Sequence, residues 1–131
     1  FVTIKDIPLI GTNAWNDPAL TSADLEAFPG SFFVDLFYPG NSSELVTQFS
    51  SGMKSAQGKA PSSLEALGFD AVWFIRQGYK KAGSDKPSAI MDALRSMLHL
   101  DGVTGIRSFA SGPEIKPFVL TVDETGIIEA Q

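Results

Sequence analysis

The chain of 131 residues has no cysteine and a single histidine. Without cysteine there can be no disulfide framework, no thiol nucleophile and no thiolate metal site, although the redox compartment stays open. His99 has neither a second histidine nor a cysteine with which to complete a usual zinc set. Basic residues are also scarce, ten Lys and Arg against fifteen Asp and Glu, for a formal charge of −5. No basic cluster is dense enough to follow a phosphate backbone, so no nucleic acid partner is expected, and an anionic membrane surface would repel the chain. No apolar run approaches the ~20 residues of a membrane-spanning helix.

What is present is core-forming material. Residues of apolar type make up 44% of the chain and ten are phenylalanine, ample for one packed domain and incompatible with disorder. The opening Phe1-Val2-Thr3-Ile4 is strand-like and has no initiator methionine, which reads as a piece of a longer protein.

Residues 7–10 read as a short buried strand closed by Gly11. Asp17-Pro18 has the chemistry of a helix start, the carboxylate as N-cap and proline at the first helical position, with an end before Phe28-Pro29-Gly30. Ser31 to Tyr38 is the strongest strand. Its nearly continuous apolar character suits a parallel strand covered on both faces.

Three helices are expected next. Asn41 stands three residues before Glu44, a capping-box spacing, ahead of a stripe of Leu45, Gln48, Phe49 and Met53. Ser62 and Glu65 repeat the box, with Leu64, Leu67, Ala71, Ile75 and Tyr79 as the inward face and Gly83 as the stop. Ser84 or Asp85 is expected to cap the third, with Pro87 in its first turn and Ile90, Leu94, Met97 and Leu98 inward. Residues 118–122 and 126–129 read as two strands about a turn at Asp123–Gly126. The order β-α-β-α-α-α-β-β gives an α/β class with a partly parallel sheet.

Catalytic chemistry is not visible. No serine lies in a G-x-S-x-G elbow, and His99, placed at the end of a helix where an imidazolium complements the dipole, has no triad partner. The scattered carboxylates fall at helix starts and turns, where capping explains them. Gly102-Val103-Thr104-Gly105 lacks the Lys-Ser/Thr of a phosphate loop and reads as a turn. Trp15, Phe37, Tyr38 and Trp73 are core aromatics by default, Trp15 and Tyr38 being the candidates for lining a pocket. No metal and no cofactor is implied.

Four stretches, in order and spacing, resemble the type I periplasmic substrate-binding proteins of the Leu/Ile/Val group of ABC transporters. They are Pro8 to Trp15, Ser31 to Tyr38, Pro61 with Leu67-Gly68-Phe69-Asp70-Ala71 (Gly-Tyr-Asp-Ala in the family), and Asp101 to Gly105 with Phe109 and the final strands about Gly126. The first two also resemble a lipoprotein branch of that superfamily, the penicillin-binding-protein activators, whose members would grip a protein partner instead of a solute.

The resemblance implies a three-layer α/β protein with a mostly parallel sheet and two lobes that close over a small ligand, of which this chain is an incomplete, C-terminal piece. Residues 1–38 and 116–131 would belong to the second lobe and residues 39–115 to the first. It implies a periplasmic location, a solute-binding role without catalysis, and a membrane permease as partner of the intact protein. Self-association of the piece is expected because its sheets are cut. Asn13 aligns with the acidic residue that holds the ligand's α-ammonium in amino-acid-binding members; an amide keeps an acceptor and loses the charge-assisted pair. Leu64 aligns with a position, often aromatic, that touches the ligand, and Trp15 follows on the same turn. The family's main carboxylate-binding positions would lie outside this chain.

Overall fold

The computed structural model describes residues 7–16, 30–123 and 126–130. The expected extended start at 1–4, the helix expected from Asp17-Pro18 and the middle of the turn at Asp123–Gly126 lie outside them.

Strand β1 (Ile10–Gly11) is short, and β2 (Phe32–Asp35) alternates: Phe33 and Asp35 are buried while Phe32 and Val34 face outward. Continuous hydrophobicity had suggested cover on both faces, but the period-two pleat leaves one face of β2 open. The strand also stops short of Tyr38, because the Asp35 carboxylate accepts from the backbone N–H of Leu36 at 2.6 Å and of Phe37 at 3.4 Å and draws those donors out of any ladder. Residues Ile7 and Ile10 are 61% and 76% exposed, so β1 is an open edge and not the buried strand expected there.

Strands β3 (Ile106–Ser108) and β4 (Glu114–Ile115) form a separate ribbon, and β5 (Phe118–Asp123) and β6 (Gly126–Glu129) complete the main sheet. Its order is β1-β2-β5-β6. β1 runs parallel to β2, while β2–β5 and β5–β6 are antiparallel. Among the described residues the parallel character of this sheet therefore resides in one pairing, since the final hairpin adds antiparallel strands beside β2. Phe33, Phe118 and Leu120 make the sheet's core, with Trp15, Tyr38 and Ile127 packed on it.

The helices are α1 (Glu44–Gln57), α2 (Ser63–Ala82) and α3 (Pro87–Arg95). At α1 the N-cap is Ser43, not Asn41; Asn41 Oδ1 instead accepts from Ser43 N at 2.9 Å and turns the chain into the helix. The box at α2 forms as the spacing predicts: Ser62 N donates to Glu65 Oε2 at 2.6 Å and Glu65 N to Ser62 Oγ at 3.5 Å. Gly83, at φ 59°, ends α2 in the left-handed region. Lys86, not Ser84 or Asp85, is the N-cap of α3, and Pro87 holds its first position. That helix ends at Arg95, so Leu98 (75% exposed) and His99 belong to the following loop.

The inward face of α2 is Ala66, Asp70, Phe74 and Gly78, one residue off the expected stripe; Leu64, Ala71, Ile75 and Tyr79 are exposed. Two residues set that rotation. At Gly78 a Cβ would meet the side chains of Ile90 and Leu94 at 2.9 Å, so the bare backbone lets α3 cross closely. Asp70, fully buried, accepts from Val103 N and Thr104 N, each at 2.8 Å, and from the Thr104 hydroxyl. A Cβ on Gly102 would lie 2.5 Å from Asp70 Oδ2. The turn at 102–105 is thus wrapped around a carboxylate, and Gly102 serves that contact.

Two outcomes follow for stability. Asp70→Ala leaves the Val103 and Thr104 N–H groups buried without acceptors, at about 1–3 kcal/mol each; urea titration should show about 3 kcal/mol lost. The Glu65 carboxyl lies below its ordinary value, held there first by the Ser62 backbone N–H, then by the Ser62 hydroxyl and by Lys59. A lowered folded-state value means that its support of α2 is complete above the ordinary carboxylate value and is lost as pH falls through the lowered one. Glu65→Gln should therefore remove part of the acid-side slope in a pH–stability profile, lowering the stability at neutral pH and leaving it nearly unchanged at the acid end, where the carboxyl is already protonated.

Candidate functional site

Gly11 ends β1 with no side chain because the Trp15 ring closes over it; a Cβ there would lie 2.4 Å from the ring. Thr12 N-caps a single 3-10 turn, Asn13–Trp15, its hydroxyl accepting from Ala14 N at 3.4 Å. The turn is sealed by Trp15 N→Thr12 O and Asn16 N→Asn13 O, both 3.0 Å. It sends Asn13 outward and Trp15 inward onto Phe33, with ring centroids 6.1 Å apart.

Asn16 then fastens the turn to the end of β2: its Nδ2 donates to Asp35 Oδ2 at 2.7 Å and to Phe37 O at 3.1 Å. Asp35 is 3% exposed. Its Oδ2 also accepts from Ser63 Oγ, on the first turn of α2, at 2.8 Å. With Leu36 N and Phe37 N on Oδ1, every lone-pair direction of this carboxylate is used. A second tie runs beside it, Gly105 N donating to Leu36 O at 2.7 Å and Lys116 N to Gly105 O at 2.8 Å. There too a glycine is required, since a Cβ would meet Lys116 O at 2.2 Å.

A cavity of about 330 Å³ opens over this junction. Thr12 and Asn13 line it from the turn, Val34, Asp35 and Leu36 from the end of β2, and Ser63 and Leu67 from α2. The volume lies in the ~300–1,000 Å³ range of small-molecule sites. Among the described residues Asp35 is the one formally charged residue of the lining. Of the residues singled out from sequence, Asn13 lines the cavity; Leu64, 79% exposed, stands beside it on α2, and Trp15 lies beneath the turn, packed on the sheet core. Tyr38 packs against Phe118, its hydroxyl donating to Ile127 O at 3.4 Å.

Sequence reasoning passed over Asp35 and Ser63. The signal for Asp35 was present, a lone acid inside an eight-residue apolar run, because a buried polar residue is more informative than a buried apolar one. His99 lines a separate cavity of about 400 Å³ with Trp73, Gln77 and Asp101, where Trp73 Nε1 donates to Asp101 O at 2.8 Å. Among the described residues no three His, Cys, Asp or Glu are grouped so as to hold a metal ion, and no helix is long and apolar enough to cross a membrane.

A sequence model of the family described as periplasmic binding protein matches residues 2–114. Among solved structures, the chain is similar to a branched-chain amino acid ABC transporter from Rhodospirillum rubrum, with 26% identity and a TM-score of 0.81, over 95% of this chain and 37% of that one. It is also similar to leucine binding protein LivK from Thermotoga maritima (22% identity, TM-score 0.69, 93% and 36% covered). A third is an ABC transporter substrate-binding protein from Desulfitobacterium hafniense in complex with Leu (21%, 0.71, 95% and 36%). The last two likenesses bear on the fold alone. The chain spans little more than a third of the length of these structures. No curated protein sequence matches it.

The close packing at Gly11 predicts that Gly11→Ala displaces the Trp15 ring from Phe33. Overpacking of this kind costs about 1–3 kcal/mol, and a thermal or urea midpoint unchanged from the parent chain would contradict the geometry.

Proposed function

The chain belongs to the periplasmic binding proteins, and from that membership we propose that it forms the C-terminal part of the solute-binding component of an ABC-type transporter, taking a small polar ligand such as an amino acid or amide. The observation that carries the reading is the cavity at the end of β2, where a turn of the sheet unit and the first turn of α2 face one another across Asp35. Such sites sit in clefts between structural units, with few polar groups in a mostly apolar wall. The Rhodospirillum protein, 26% identical and named for a branched-chain amino acid ABC transporter, points the same way. The family is one of non-enzymatic solute binders with a periplasmic location.

In this reading residues 1–38 and 116–131 belong to one lobe and residues 39–115 to the other. Asn13 and Leu64 meet the ligand from either side, Trp15 supports the turn that carries Asn13, and a membrane permease receives the loaded protein. The remaining contacts come from the part of the parent outside this chain. Phe32, Val34 and Val119 on the sheet and Val72, Ile75 and Tyr79 on α2 are exposed, which agrees with faces made to be covered, and the excised chain would self-associate through them.

One observation favours the lipoprotein-type interaction module instead: Leu64, Val72, Ile75 and Tyr79 form an exposed apolar stripe along α2 suited to a protein partner. Native mass spectrometry of the full-length parent separates the two. A transporter component carries or takes up an amino-acid-like molecule, whereas an interaction module stays empty across an amino-acid panel. In the same protein Asn13→Asp restores a charge-assisted bond to an α-ammonium, so calorimetry should show α-amino acids bound about five- to tenfold more tightly. Unchanged affinity would remove Asn13 from the site.

A further inference from the structure

The cavity contains a carboxylate that cannot itself reach a ligand. Asp35 is buried and its four acceptor directions are taken by Asn16, Ser63, Leu36 and Phe37. The consequence falls on Ser63. A serine hydroxyl has one hydrogen and two lone pairs, and the Ser63 hydrogen is committed to Asp35 at 2.8 Å. Toward the cavity, Ser63 can therefore only accept.

The electrostatics agree. Of the described residues lining the cavity only Asp35 carries formal charge, and the one ion pair among the described residues joins Lys59 to Glu65. The N-terminus of α2 favours the carboxylate that sits on its first turn, which fixes Asp35 in place. What remains is a pocket whose one charged residue, among those described, is an acid, with an acceptor-only hydroxyl and, at Asn13, a second side-chain acceptor.

We propose that Asp35 and Ser63 together form the amine-recognition point of this cavity, Ser63 accepting the hydrogen bond and Asp35 acting through it as the positioning residue and source of negative charge, so that the site selects solutes with a primary ammonium and supplies the charge that Asn13 lacks. This rests on the reading of the cavity as a solute cleft. A ligand carboxylate has no cationic partner in this lining and would be held by the rest of the parent. Ser63 is not the N-cap of α2, a role held by Ser62, so its substitution leaves the capping box in place.

The test is calorimetry on the full-length parent with L-leucine and 4-methylpentanoate, the same skeleton without the amine. Wild type should prefer L-leucine. Ser63→Ala should reduce that preference about tenfold or more, as expected for loss of a hydrogen bond to a charged group, by weakening L-leucine and leaving 4-methylpentanoate within twofold. Ser63→Thr should retain the preference, because it keeps the hydroxyl. Asp35→Asn retains Oδ1 for Leu36 and Phe37, and should lower the preference in the same direction. Ser63→Ala with an unchanged preference overturns the inference and leaves the solute-binding reading standing. Equal loss of both compounds in Ser63→Ala and Ser63→Thr shows a purely structural serine and also overturns it. If wild type carries no solute and binds neither probe, the solute-cleft reading fails and the inference with it.

Discussion

The hydrogen-bond demand of one buried carboxylate organises the site. Asp35 has no cation to neutralise it among the described residues, so its burial is tolerable only with donors on every lone pair. Those four donors come from three places: the turn after β1, the two backbone amides that follow Asp35 itself, and the first turn of α2. By taking the amides of Leu36 and Phe37, Asp35 ends β2. By taking Asn16 and Ser63, it holds the sheet unit and the helical unit at the distance that leaves the cavity between them. At this junction polar bonds of about 0.5–1.5 kcal/mol each fix geometry without the bulk of a packed apolar interface.

Asp70 repeats the device on the helical side. It converts the turn at 102–105 from an irregular connection into a defined seat on α2, and the glycine at 102 exists because a Cβ would collide with the carboxylate. The two acids act in series: Asp70 fixes the turn, Gly105 in that turn bonds to Leu36 and Lys116, and Leu36 adjoins Asp35. A chain of polar contacts thus runs from the middle of α2 to the cavity floor, alongside three modest apolar clusters around Phe33, Phe37 and Phe74.

The open faces have a common cause. The main sheet has four short strands, one face of β2 and β5 shows Phe32, Val34 and Val119 to solvent, and α2 carries apolar residues on both sides. A helix apolar on both sides is built for two neighbours, and this chain supplies one. The solved structures that it matches are more than twice as long, which gives the second neighbour a source without any change to the packing seen here.

The sequence determined what depends on local chemistry. The Ser62–Glu65 box, the left-handed stop at Gly83 and proline at the start of α3 are set by residues within a few positions of one another, and each is found where the spacing places it. Four quoted stretches were sufficient to point to the family because they mark strand ends and helix starts, which keep their chemistry when the core between them changes. Tertiary structure decided the rest. The rotation of α2 follows from Asp70 and Gly78, two residues that an apolar-periodicity argument counts as interruptions. The capping at Ser43 in place of Asn41 depends on how the crossover arrives. The pairing of Asp35 with Ser63, 28 residues apart, has no trace in any window of the chain, because whether a buried acid is satisfied depends on which donors the fold brings to it.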